Sequence, residues 1–171
     1  MGSKNRRKAP AVALIVSCAL ALAGYAAFFR DRAAPQVVFT SIKGEKLSTA
    51  DLRGRVVLVN FWATDCAVCV KEMPRLVQTY ASYKDKGLEL IAVAMRYDPP
   101  NYVLDYTDKN KLPFKVALDP MGELARAFDD VKLTPTTIVI DKRGIVVDRI
   151  LGEPDFGKLE KLIEQKLAEP A

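Results

Sequence analysis

The sequence predicts an α/β domain, one mixed β-sheet with helices on both faces, preceded by a single N-terminal transmembrane helix. Three observations lead there. Residues 9–29, APAVALIVSCALALAGYAAFF, carry no charge over 21 positions, close to the ~20 that cross a bilayer as a helix. Two later runs, RVVLVNFW (55–62) and LELIAVA (88–94), are apolar and β-branched without alternation, the pattern of strands covered on both faces. Between and after them lie segments with apolar residues at helical spacing, and interleaved strands and helices build a layered sheet. The chain divides into a basic N-terminus (1–8), the apolar span (9–29), a short linker with one Pro (30–36) and the folded domain (37–171).

Taken in order, 37–42 reads as a strand, Lys43-Gly44 as a turn, and Ser48 as the N-cap of a short turn ending at Gly54. A central strand follows over 55–62. Thr64-Asp65 are polar residues at a helix start, and the helix runs from about Cys66 to Lys86. It shows Met73, Leu76, Val77, Tyr80 and Tyr83 at helical spacing, holds Pro74 inside, where a kink is expected, and stops at Gly87. A second buried strand covers 88–94. After the break Asp98-Pro99-Pro100 come a helix over 102–110, a strand over 115–118 and a helix over 123–128. Strands 136–140 and 146–151 flank a hairpin turn at 141–144, and an amphipathic helix over 156–167 closes the chain. The predicted order is β-β-α-β-α-β-α-β-β-α.

The chain has 171 residues, about one domain's worth. Half of it is apolar, so a core can form without disulfide staples. The net charge of +5 invites a nucleic-acid reading, but six basic residues and one acid lie before residue 33, and the remaining 20 basic and 20 acidic residues cancel. The excess belongs to the N-terminal segment and no nucleic-acid partner is expected. Four basic residues precede the apolar span, which puts the N-terminus in the cytoplasm and the domain across the membrane. A cleaved signal peptide, with Ala-Gly-Tyr-Ala-Ala as the processing site, and a lipoprotein signal ending at Cys18 are the competing readings. All three export the domain. The uncleaved inner-membrane anchor is the expectation, because the apolar run continues well past Cys18.

Three answers exist for TDCAVC (64–69): a structural disulfide, half of a metal site, or a redox pair. Structural zinc takes four Cys or His, whereas the chain has three cysteines, one of them inside the apolar span, and no histidine. Neither a metal nor another cofactor is expected. Cys66 and Cys69 stand at i and i+3, about 5–6 Å apart on a helix, within the reach of a disulfide. A bond closing so small a loop restrains little of the unfolded chain and is a poor staple. The first cysteine lies at a helix N-terminus, where free N–H groups and the dipole favour a thiolate. Cys66 is therefore expected to be the attacking, partly exposed thiol and Cys69 the buried, resolving one.

With these residues in view, the chain resembles the thioredoxin superfamily, and within it the membrane-tethered TlpA/ResA-like thiol-disulfide oxidoreductases. The likeness runs from about 37 to 167 through VVLVNFWATDCAVCVKEMP, LDPMGELARAF and TPTTIVIDKRGIVVDRILGE. The resemblance implies a thioredoxin-like fold with Pro135 as a cis-proline facing the disulfide and Thr134 pairing its backbone with an incoming substrate strand. It implies that Glu72 of the "KEMP" segment manages a proton near the buried thiol, since a carboxylate there opposes thiolate formation and can accept its proton; a solvated helix position is the plain alternative. Asn60 stands where thioredoxin itself has a buried Asp. Two departures concern Asp65, where the family usually has Trp, and Ala67-Val68 between the cysteines, which lacks the common Pro. Asp65 raises the Cys66 pKa or serves as an N-cap. Trp62, Asp65, Ala67, Val68, Thr134 and Pro135 are the expected substrate-binding residues, beside catalytic Cys66, Cys69 and Glu72.

The function expected from this resemblance is a periplasmic thiol-disulfide oxidoreductase. It reduces disulfides of client proteins such as apocytochrome c or copper-site assembly proteins, and is itself re-reduced by a membrane thiol electron donor. A disulfide-inserting oxidase and a binding module with a fixed disulfide are the rival readings.

Overall fold

The computed structural model describes residues 33–171 and, before them, positions 17, 18 and 24. The basic N-terminus and, but for those three positions, the expected membrane span lie outside the described residues. Among the described residues no helix is long and apolar enough to cross a membrane.

The central sheet has five strands in the order β5-β4-β3-β6-β7: β3 (Val56–Trp62), β4 (Leu88–Ala94), β5 (Lys115–Leu118), β6 (Thr136–Ile140) and β7 (Val146–Leu151). β3 pairs in parallel with β4, β4 with β5, while β6 runs antiparallel to β3 and β7 to β6. All seven residues of β3 and all seven of β4 are buried, which is why neither run alternates in the sequence.

Side chains leave a strand on alternate faces. Val56, Leu58 and Trp62 join one core cluster, Val57, Val59 and Phe61 the other. Three helices contribute to the first: α1 (Ala67–Tyr83), α2 (Pro100–Asn110) and α4 (Phe156–Ala168). α1 buries Cys69, Met73, Leu76 and Tyr83 along one stripe, with Pro74 inside the helix. Full burial of Met73 or Leu76 contributes roughly 2 kcal/mol each. α3 (Glu123–Ala127) serves the opposite core, where Phe128 meets Phe39 and Phe61 at ring-centroid distances of 6.2 and 5.7 Å.

The predicted strands of the central sheet are found within a residue of their expected ends. The helices differ at their ends and the N-terminal part differs more. α1 stops at Tyr83 and continues as a 3-10 turn, Lys84–Lys86, before Gly87 at φ 105° turns the chain into β4. That positive φ suits a residue without Cβ. The expected first strand is only β1 (Val38–Thr40), and it does not join the central sheet. It pairs antiparallel with β2 (Lys46–Ser48), a segment that carries no strand signal in the sequence, in a separate two-stranded sheet. Its link to the central sheet is a bridge from Ser41 to Ala117. The three residues of β2, Lys-Leu-Ser, are too few to show alternation.

Candidate active site

Where β3 ends, the chain must turn into α1, and three hydrogen bonds hold that turn. Cys66 N–H donates to Ala63 O at 3.2 Å. The backbone N–H and the hydroxyl of Thr64 both donate to Asp98, at 2.7 and 2.5 Å. Cys66, extended at φ −86° and ψ 102°, is the helix N-cap, and its sulfur accepts the Cys69 N–H at 3.2 Å. The capping role that the sequence offers to Asp65 thus falls to Cys66; Asp65 stands one residue too early and is exposed.

Cys66 and Cys69 are joined as a disulfide with their Cα atoms 5.2 Å apart. Cys66 is half-buried and Cys69 fully buried. On reduction, the same Cys69 N–H and the α1 terminus would face a Cys66 thiolate, the arrangement that lowers a thiol pKa.

Glu72, one turn beyond Cys69, is fully buried, so the solvated alternative is overturned. Period-2 alternation sends Asn60 of β3 to the α1 face of the sheet. There its Nδ2 donates to Glu72 Oε1 and to Thr137 Oγ1, both at 3.0 Å. Among the described residues Glu72 Oε2 and Asn60 Oδ1 have no protein partner. Burial pushes the Glu72 carboxyl up to about 7; the Asn60 bond opposes this and the charge of Glu153 adds to it. A carboxyl that titrates near neutrality one helical turn from a buried thiol can take and return a proton.

The Thr134–Pro135 peptide bond is cis. β3 and β6 pair Phe61 with Thr136. The cis bond therefore immediately precedes β6, at the same end of the sheet as the C-terminal end of β3 and the turn to Cys66. Pro135 O accepts Gly152 N–H at 2.8 Å. The Tyr97 hydroxyl and Thr134 Oγ1 lie 3.2 Å apart.

Among the expected client-contacting residues, Asp65, Ala67 and Val68 are exposed and Thr134 half-buried. Trp62 is a correction. It is fully buried against Tyr106, with ring centroids 5.2 Å apart, because helices cover the face of β3 to which its parity sends it. Pro135 is likewise buried. Sequence reasoning missed Asp98 and Tyr97: Asp98-Pro99-Pro100 reads only as a break, although an Asp after a buried strand is well placed to bind a neighbouring turn.

A scan against family models matches Redoxin over residues 30–163. The chain belongs to the Redoxin family. It is 34% identical over 170 residues to thiol-disulfide oxidoreductase ResA of a Bacillus cereus strain, covering 95% of this chain and 97% of that one. It is 35% identical over 161 residues to ResA of Bacillus anthracis, covering 90% and 92%. Among solved structures, a thiol:disulfide interchange protein of the thioredoxin family from Chlorobium tepidum TLS superposes with a TM-score of 0.73 at 27% identity, covering 80% of this chain and 96% of that one. This Redoxin member is a thiol-disulfide oxidoreductase with a thioredoxin-like fold, and its CxxC pair is at bonding distance.

Proposed function

We propose that the protein is a membrane-anchored reductase that keeps client cysteines reduced on the far side of the bacterial inner membrane. The observation that carries this reading is the asymmetry of the pair. Cys66 is partly open at a helix N-terminus, whereas Cys69 is closed off one turn before a carboxyl that burial pushes up to about 7.

In the reduced enzyme the Cys66 thiolate attacks one sulfur of a client disulfide. The Cys66–client bond forms, the client S–S bond breaks, and the second client sulfur leaves as a thiolate that takes a proton from water. Cys69 gives its proton to the Glu72 carboxylate and attacks Cys66 Sγ. The Cys66–Cys69 bond forms and the first client sulfur departs. Two electrons have passed to the client, and a membrane thiol donor returns them to the enzyme. Thr134 and the exposed Asp65, Ala67 and Val68 form the surface that receives the client, with Pro135 beneath it.

The 21 uncharged residues behind a basic N-terminus support the anchor and the periplasmic placement. The resemblance to TlpA/ResA-like oxidoreductases extends the proposal to clients whose cysteine pairs must stay reduced in an oxidising compartment, such as the haem-attachment cysteines of apocytochrome c or the cysteines of copper-site assembly proteins.

Equilibrating the full chain in dithiothreitol or glutathione buffers tests the direction. A potential between about −220 and −300 mV is expected for a reductant. A value above about −150 mV would make the protein a disulfide-inserting oxidase. A bond that resists reduction throughout would make it a binding module with a fixed disulfide.

A further inference from the structure

We propose that a basic groove beside the Thr134–Pro135 loop selects clients that carry acidic residues some way along the chain from their reacting cysteine. The inference deepens the client-directed reading above and rests on it.

The groove has a volume of about 370 Å³ and lies between the end of β4, the start of α3 and the segment leading into the cis-proline loop. Its charged residues are Arg96, Arg126, Lys132 and Asp130. Lys132 and Asp130 pair at 3.0 Å. Among the described residues neither Arg96 nor Arg126 has a carboxylate partner. Both arginines pack over one spot. A Cβ added at Gly122 would stand 3.3 Å from Arg126 Nη1 and 3.3 Å from Arg96 Cδ. Two cationic side chains that line one groove without a carboxylate partner raise its positive potential, and a carboxylate that enters it gains charge-assisted hydrogen bonds.

Position ties the groove to the redox site. Tyr97, which lines it, meets Thr134 at 3.2 Å. Met95 N–H, on the same stretch, donates to Trp62 O at 3.0 Å, four residues before Cys66. Tyr97 and Leu133 are exposed by 51% and 61%, which gives a client strand apolar footing next to the charges. Asp65 is an exposed acid next to Cys66 in the chain. Acidic residues that suit both features therefore lie some way along the client from its reacting cysteine, over the arginines.

The test uses the full oxidised chain in a non-ionic detergent and three cysteine-free, fluorescent peptides of equal length. One carries a Glu pair, one a Gln pair and one a Lys pair. Anisotropy at low salt is expected to show the Glu peptide bound roughly tenfold tighter than the Gln peptide, with the difference collapsing at high salt. The variant R96E/R126E should reverse the order and favour the Lys peptide, while its reduction potential stays that of the parent. Equal affinities in the parent chain, or a Glu preference that survives R96E/R126E, overturn the proposal. Should R96E/R126E not fold, R96Q/R126Q decides instead: loss of the Glu preference supports the groove and its retention overturns it. Turnover of a neutral disulfide peptide reads the oxidoreductase role separately, since these affinities need no electron transfer.

Discussion

Two buried carboxylates stand near the CxxC turn, and they do different things. Asp98 is 4% exposed and uses both oxygens, accepting the Thr64 N–H and the Thr64 hydroxyl. Glu72 is fully buried and uses one, accepting from Asn60, while its other oxygen has no protein partner among the described residues. Burial is nearly equal, so burial does not separate them; the supply of hydrogen-bond donors does. A carboxylate with a donor on each oxygen fixes a loop. One left half-satisfied in an apolar setting favours its protonated form and is ready to trade a proton.

The strongest way to break this comparison is Glu72→Gln, which keeps the shape and removes the titration. Resolution of a trapped Cys66–client mixed disulfide, followed by rapid quench at neutral pH, should slow about 10²-fold or more. An unchanged rate would reduce Glu72 to a packing residue. Asp98→Ala should act on the other quantity. It orphans the Thr64 N–H and costs on the order of 2 kcal/mol in urea unfolding. The rate of the resolution step in the folded fraction should change much less than in Glu72→Gln. If Asp98→Ala instead slows resolution as much as Glu72→Gln while stability holds, the division of labour is wrong.

The pH dependence of stability sharpens the same point. The folded-state pKa of Glu72 is raised from the ordinary 4.5 to about 7, so between those values the unfolded chain ionises first and the native state holds the extra proton. The Glu72 contribution to stability therefore falls as pH rises across that window, by about 3 kcal/mol, and levels off above it. Urea midpoints measured across the window for the oxidised chain and for Glu72→Gln should diverge by that slope; parallel curves would deny the raised pKa. The smallest effect belongs to Glu153, whose charge adds to the Glu72 shift and which pairs with Lys71 at 2.8 Å on the surface. Glu153→Gln should move the Glu72 titration slightly toward lower pH, read from the carbonyl band of its protonated form. Stability at neutral pH should stay nearly the same, because an exposed ion pair contributes little.

Much of this architecture is legible in the sequence because it is local or periodic. Seven-residue apolar runs without alternation can be stable only between two packed layers, and β3 and β4 are buried at every position. Apolar residues at helical spacing likewise mark α1 and α4. The CxxC spacing places Cys66 and Cys69 within disulfide reach, and a helix start makes their exposures unequal. What stays hidden is contact between residues far apart in the chain. Asn60 and Glu72 are 12 positions apart, and Thr64 and Asp98 are 34 apart. Arg96 and Arg126 converge on Gly122 only because α3 folds back beside the end of β4.

The sequence by itself determined the chemistry: two thiols a helical turn apart, no histidine to draw a metal, and an acid one turn on. Only the tertiary structure decided how that chemistry is tuned. Parity in β3 sends Trp62 and Asn60 to the face that α1 covers, where Asn60 meets Glu72, and packing seals one carboxylate oxygen from water. Whether a carboxyl titrates near 4.5 or near 7 depends on the medium and donors around it, and those are set by chain segments that no local pattern joins.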